Sequence, residues 1–166
     1  MILRAHGLSV AVPRGWDARI FRRDESDVMS PAAPETGAAN VPRSGVTTPV
    51  VHLASFALPE GRGDYGSGAV GLMRAHDVFV ALVEFGPESV GTPLFAPAGR
   101  PRFRAGELSE TIMQRPIAGM AGAQRFFTLE GRAFCCYAVV GSSARRSRLV
   151  GVVNDALAGI TVDRAS

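Results

Sequence analysis

The run Gly61-Arg62-Gly63-Asp64-Tyr65-Gly66-Ser67-Gly68 has the spacing G-x-G-x-x-G, and its residue types carry the most definite chemistry in the chain. Glycines at that spacing let backbone amides approach a pyrophosphate at a helix N-terminus, and an acidic residue ending the next strand takes the ribose hydroxyls. On that reading Gly61, Gly63, Gly66 and Glu84 bind a nucleotide or a phosphate. Three features oppose it. Leu58-Pro59-Glu60 separates the preceding strand from the first glycine. The helix expected over Ala69 to Arg74 has only about two turns, against the ten or more residues of a usual crossover. No second strand–helix–strand unit follows. A lone glycine motif is a weak signal, so the segment is read first as a mobile glycine loop, with ligand binding as the alternative.

Other candidate residues point to binding rather than reaction. Arg100, Arg102 and Arg104 surround Phe103 in a loop, and Arg145, Arg146 and Arg148 open the last expected helix. Together they are a candidate basic patch for phosphate or RNA, although arginines at a helix start oppose its dipole. A net charge of only +3 argues against nucleic acid as the partner. Arg62-Gly63-Asp64 matches an adhesion tripeptide, which without secretion is read as a coincidence. His6, His52 and His76 lack ligand spacing to one another or to Cys or carboxylate residues. His52 lies in an apolar run and reads as a satisfied sheet histidine. Cys135 and Cys136 are adjacent, which excludes a disulfide framework and zinc spacing. On a strand they point to opposite faces, one into the core and one outward. All 18 basic residues are arginine, which removes every class that needs a Schiff-base or P-loop lysine. No cofactor or metal is implied.

The elements that position these residues follow from periodicity. A chain of 166 residues is one domain's length, and a domain of that size buries about 70% of its unfolded surface without a staple. Leu8, Val10 and Val12 alternate as a strand, Pro13-Arg14-Gly15 is turn chemistry, and Trp16, Ala18 and Ile20 alternate again, which predicts a hairpin with Trp16 inward. Prolines and glycines among small residues predict a flexible loop at about 24–48. Apolar runs predict strands over Val50 to Phe56 and Val78 to Phe85, and a further strand is expected over Glu110 to Arg115. Ala123 to Thr128 and Arg132 to Val140 form a hairpin about Leu129-Glu130-Gly131. Leu149, Val152, Val153, Ala156 and Leu157 make the apolar stripe of a helix from about Ala144 to Leu157, capped by Ser142 or Ser143, before a last strand at Ile160 to Val162. The expected class is α+β, with a mostly antiparallel sheet sandwiched by helices and one strong C-terminal helix. Residues 1–166 form a single domain.

This order resembles the PsbP-like superfamily, which includes photosystem PsbP proteins and the Mog proteins. The matching residues are Gly7-Leu8-Ser9-Val10-Ala11-Val12-Pro13-Arg14-Gly15-Trp16, the hairpin Gln124 to Tyr137 about Glu130-Gly131, and the closing helix with Gly159-Ile160-Thr161-Val162. The whole chain also resembles conserved hypothetical actinobacterial proteins. The resemblance implies an α/β/α sandwich that binds other proteins or assists assembly, with no shared catalytic set. Met1-Ile2-Leu3-Arg4-Ala5-His6-Gly7 lacks the apolar core of a signal peptide, so the expectation departs from the secreted members and is cytoplasmic. No stretch reaches the about 18 apolar residues of a membrane span. The expected partner is another protein, met through the outer sheet surface or the loops at 58–68 and 86–106, with Arg62, Asp64, Tyr65, Arg102, Phe103 and Arg104 as candidate contacts. Sequence alone leaves the oligomeric state open.

Overall fold

Eight strands and one α-helix form the regular structure of residues 1–23 and 47–166, which the computed structural model describes. Nearly all of the loop expected at about 24–48 lies outside the described residues. Strands β1 (Ile2–Ala5), β2 (Leu8–Ala11) and β8 (Ile160–Val162) make an antiparallel sheet in the order β1-β2-β8. Strands β3 (Asp17–Arg22), β4 (Pro49–Ala54), β5 (Val78–Phe85), β6 (Ala121–Leu129) and β7 (Arg132–Val140) make a second, in the order β3-β4-β5-β7-β6. Every pairing of neighbouring strands is antiparallel. Helix α1 (Arg146–Ala158) runs directly into β8.

The hairpin expected between residues 8–12 and 16–20 does not form. β2 pairs with β1 and β8, while β3 pairs with β4 in the other sheet. Pro13 to Trp16 is instead a corner between sheets: the Trp16 amide donates to the Pro13 carbonyl at 3.1 Å, and the half-buried Trp16 ring packs against the shared core. The competitor is β1. His6-Gly7 joins it to β2 as a two-residue turn with φ of 53° and 71°, and two positive φ values match the right-handed twist of a tight hairpin. Glu130-Gly131 repeats this device between β6 and β7, with φ of 52° and 74°.

Strand alternation sorts the larger sheet into two buried faces. Val51, Leu53, Val80, Leu82, Phe134 and Cys136 point toward β2, β8 and α1, whose Leu149, Val153, Ala156 and Leu157 close that core. Each large apolar side chain fully withdrawn here contributes about 1.5–3 kcal/mol. Phe127 and Phe134 stack beneath this layer, with ring centroids 5.8 Å apart. Val50, Phe79, Val83, Tyr137 and Val139 point the other way, against Leu58, Val70, Met73, Met113 and Met120.

The class is thus α+β with antiparallel sheets and one C-terminal helix. The expected second helical layer is not present among the described residues, where connecting segments cover that face. The helix expected over 69–74 is a single 3-10 turn, Val70–Leu72, flanked by Gly68 at φ +88°. The strand expected over 110–115 is another, Glu110–Ile112, because Ser109 pairs with Gly122 through one isolated bridge and Pro116 then prevents extension. Neither Ser142 nor Ser143 caps α1 by its side chain. A 3-10 turn, Ser143–Arg145, leads into it.

Candidate functional site

The glycine loop lies over the second face of the larger sheet and is fastened there by a polar cluster. His52 on β4 is fully buried. Its Nε2 lies 2.7 Å from the Asp64 carbonyl oxygen, which can only accept, so Nε2 carries the proton. Its Nδ1 accepts from Arg62 Nε at 2.9 Å. Phe21 and Phe79 close on the imidazole edge-to-face, with centroids 5.0 and 5.1 Å away. Burial is the main cause that brings the His52 pKa down to about 4; the hydrogen bond with Asp64 opposes the shift and the Arg62 charge adds to it. The ring is therefore neutral at pH 7, with both nitrogens in use, and it serves as a latch rather than a proton-transfer group.

The remaining loop residues are engaged in the same way. Arg62 Nη1 donates to the Pro59 carbonyl at 2.6 Å, and its guanidinium lies 5.4 Å from the Phe21 ring centroid. Asp64 Oδ2 is 3.5 Å from Arg23 Nε. Arg23 also donates to the Glu84 carbonyl and stacks over Phe85. Tyr65 meets Tyr137 edge-to-face, and the Cys135 thiol accepts from Gln124 Nε2 at 3.3 Å. Burial raises the Tyr65 hydroxyl well above its ordinary value and pushes the Cys135 thiol up to about 12. Cys136 faces the opposite core. The outward thiol expected from alternation is thus covered, and both cysteines are buried and free.

The motif glycines serve the loop itself. The Gly63 amide donates to the Ser67 carbonyl at 3.0 Å and the Gly66 amide to the Gly63 carbonyl at 2.9 Å. Gly61 is exposed. Gly66, at φ +83°, lies so close to Phe79 that a Cβ would overlap the ring. Glu84 is not brought to this loop. It occupies the opposite face of β5, where Arg132 grips its carboxylate bidentately at 2.8 and 2.6 Å. Of the other candidates, Arg102 and Arg104 are exposed, but Phe103 is a core residue. Asn154 on α1 pins the Phe103 backbone from both sides at 2.9 Å, which turns its ring inward.

Sequence reading passed over the Glu84–Arg132 clamp. Arg132 also donates to the Gly7 carbonyl at 2.9 Å and the His6 carbonyl at 3.1 Å, so it ties the β1–β2 turn to the sheet. A signal was available: Glu84 shares a strand face with Val80 and Leu82, and Arg132 with Phe134 and Cys136. A charge in a core-facing register needs a partner. Beside this clamp the two hairpin tips and residues 163–166 border a cleft of about 450 Å³, with Phe85 and Val90 on its apolar side and Glu84, Arg132 and Asp163 on its polar side. Arg132 spends its donors within the fold, leaving exposed His6, Asp163 and Arg164 at the rim.

Among the described residues, no cluster of three or more His, Cys, Asp or Glu is placed to hold a metal ion, and no helix is long and apolar enough to cross a membrane. The architecture defines a mixed α+β domain of two antiparallel sheets closed by one helix. Comparison of the chain with protein-family models, curated proteins and solved structures finds no match in any of the three.

Proposed function

We propose that this chain is a non-enzymatic protein-binding domain of PsbP-like architecture, serving as an assembly or scaffold module. The observation that carries the reading is the disposition of its reactive side chains. His52, Arg62, Cys135, Glu84 and Arg132 direct polar atoms at one another, at Gln124 and at main-chain carbonyls, which fastens loops and hairpins to the sheet. Side chains committed in this way build a rigid scaffold, and what remains for function is the surface it displays. The PsbP-like architecture is supported by the element order: an N-terminal strand and the Pro13–Trp16 corner, the long hairpin about Glu130-Gly131, and a closing helix that delivers the last short strand. A reducing, cytoplasmic setting belongs to the proposal, and the two free thiols fit it.

The test is to isolate the tagged chain from its native lysate and pass the eluate over gel filtration. A protein co-migrating at fixed stoichiometry is the expected result. Isothermal titration against common nucleotides is the opposing arm: saturable binding of one of them that is abolished by Gly63→Val would overturn the reading in favour of a ligand-binding loop.

A further inference from the structure

Main-chain hydrogen bonds build the cleft beside the Glu84–Arg132 pair. Its walls are the His6-Gly7 tip, residues 131–133 at the start of β7 and the tail that follows β8. The Asp163 amide donates to the Gly7 carbonyl at 2.8 Å, and the Ala165 amide donates to the Glu130 carbonyl at 2.9 Å. The tail is thus fastened to both hairpin tips, and the cleft between them is preformed. Its volume of about 450 Å³ lies within the range of about 300–1,000 Å³ usual for small-molecule sites. The Glu84 and Arg132 side chains line it and are only 13% and 12% exposed.

What the cleft offers a ligand follows from which of its hydrogen-bonding groups are already engaged. Arg132 Nε and Nη2 donate to Glu84 Oε1 and Oε2 at 2.8 and 2.6 Å. Nη2 also donates to the His6 carbonyl at 3.1 Å, while Nη1 donates to the Gly7 carbonyl at 2.9 Å and reaches the Asp163 carbonyl at 3.5 Å. The guanidinium nitrogens are thus all turned to acceptors of the fold. Glu84 differs. Among the described residues each of its carboxylate oxygens accepts from Arg132 alone, and a carboxylate has about four lone pairs. The covered side chains of the cleft therefore present acceptors and no open donor. At the rim, exposed Asp163 stands beside exposed Arg164 and His6, so the rim has no excess of negative charge and selectivity rests on the covered carboxylate. Phe85, Pro87 and Val90 form the apolar side. Arg23 already lies over the Phe85 ring, 5.2 Å from its centroid, so this side supplies apolar contact rather than a second cation site.

We propose that this cleft is a binding site for a primary ammonium carried on an aliphatic chain. The ammonium donates to the Glu84 lone pairs that Arg132 leaves open, and the chain lies along Pro87 and Val90. A guanidinium fits less well. Its planar fork needs two oxygens presented side by side, and Arg132 already takes both Glu84 oxygens in that way. An ammonium is a compact donor that turns freely toward a single lone pair. The protein carries no lysine, so no side-chain ammonium of its own competes for the site, and the occupant comes from another molecule. It is either a free alkylamine or a lysine of a bound protein. The site stands independently of the protein-binding reading above.

The experiment titrates the full, nitrogen-labelled chain with n-hexylammonium and with Nα-acetyl-lysine methylamide, read by amide chemical shifts. Comparison ligands are n-hexanol, hexanoate and n-butylguanidinium. The expected result is saturable shifts at Gly7, Glu84, Gly131 and Asp163 with n-hexylammonium, with the alcohol and the carboxylate at least about tenfold weaker and the guanidinium about threefold weaker or more. Glu84→Gln should weaken ammonium binding by about tenfold or more. That change also touches the clamp, so Val90→Trp is the second variant: it fills the apolar side, leaves the carboxylate and Arg132 in place, and should weaken binding by a similar factor. Amide shifts away from the cleft check that each variant keeps its fold. Shifts that do not saturate or that scatter over the surface overturn the site, as does ammonium binding that either folded variant leaves unchanged. Hexanoate, n-hexanol or n-butylguanidinium binding as tightly as n-hexylammonium overturns the ligand class. Equal binding of the lysine amide assigns the site to a protein lysine, and binding confined to n-hexylammonium assigns it to a free amine.

Discussion

Acidification from pH 7 to pH 5 should destabilise this protein through His52 in particular. The imidazole is held neutral between Arg62 and the Asp64 carbonyl, with its pKa drawn from 6.5 down to about 4. A depressed histidine pKa means that the unfolded chain binds the proton first. Its stabilising contribution is therefore complete above pH 6.5 and is lost as pH falls from there toward 4. Between pH 7 and pH 5 the linkage integral gives a loss of about 2 kcal/mol, and about 3 kcal/mol by pH 4. The assay is urea unfolding across that range for the parent and for His52→Gln. The variant will be less stable at pH 7, because a flexible amide replaces the ring that Phe21 and Phe79 enclose, but its stability should fall less steeply by about one proton's worth, roughly 1.4 kcal/mol per pH unit. Other titrating groups cancel in the difference of slopes. Glu107 acts at lower pH: burial works against its charge, but the Arg104 amide and the Arg125 guanidinium outweigh it and hold the carboxyl below 4.5. Its stabilisation is therefore present above that value and is lost as pH falls through the lowered one. A nitrogen-detected NMR titration reads His52 directly in the parent. An imidazole that titrates at or above 6.5, or equal slopes in the two proteins, would refute the buried-latch argument.

Three other outcomes follow from the packing. Arg132→Met should cost about 2–4 kcal/mol in denaturant unfolding, because it leaves Glu84 unpaired in a largely covered position; adding Glu84→Gln should recover part of that loss, and strict additivity of the two changes would show that the pair is not coupled. Gly66→Ala should cost about 2–4 kcal/mol, since the new Cβ meets the buried Phe79 ring at a φ that side chains avoid; a melting temperature within a degree or two of the parent would contradict the close approach. Cys135 and Cys136 should resist alkylation at pH 8 in the folded protein and react at least about a thousandfold faster in denaturant; labelling at comparable rates in both states would show that the second sheet face is open.

The strands most legible from sequence were those whose pattern has one solution. Val78 to Phe85 is apolar on both faces because both faces are covered. Arg132 to Val140 returns from a Glu-Gly turn that only a tight hairpin accommodates. The stripe Leu149, Val153, Ala156 and Leu157 likewise required an amphipathic helix. The hairpin about Pro13-Arg14-Gly15 was misread because alternation says which residues face inward and not which strand they pair with. β2 was satisfied by β1 and β8, the latter about 150 residues away in the chain. The G-x-G-x-x-G spacing was visible, but local pattern carries no information about which side of the sheet Glu84 faces relative to the loop. The parity of β5 decided that: it paired Glu84 with Phe134 and put its carboxylate within reach of Arg132, two residues along the same face of β7.

Local order thus came from the chain itself: the antiparallel character, the closing helix, the tight turn at Glu130-Gly131 and the burial of His52 in an apolar run are all consequences of residue types at short spacing. Long-range partnership came only with the tertiary structure. His52 met Arg62 and Asp64, and Cys135 lost its access to solvent, because loops with little regular structure of their own settled on a sheet face that alternation alone would leave open, while on the opposite face Glu84 met Arg132. Periodicity encodes which face a side chain takes. What covers that face depends on contacts between segments far apart in sequence, and those are set by packing complementarity across the whole core.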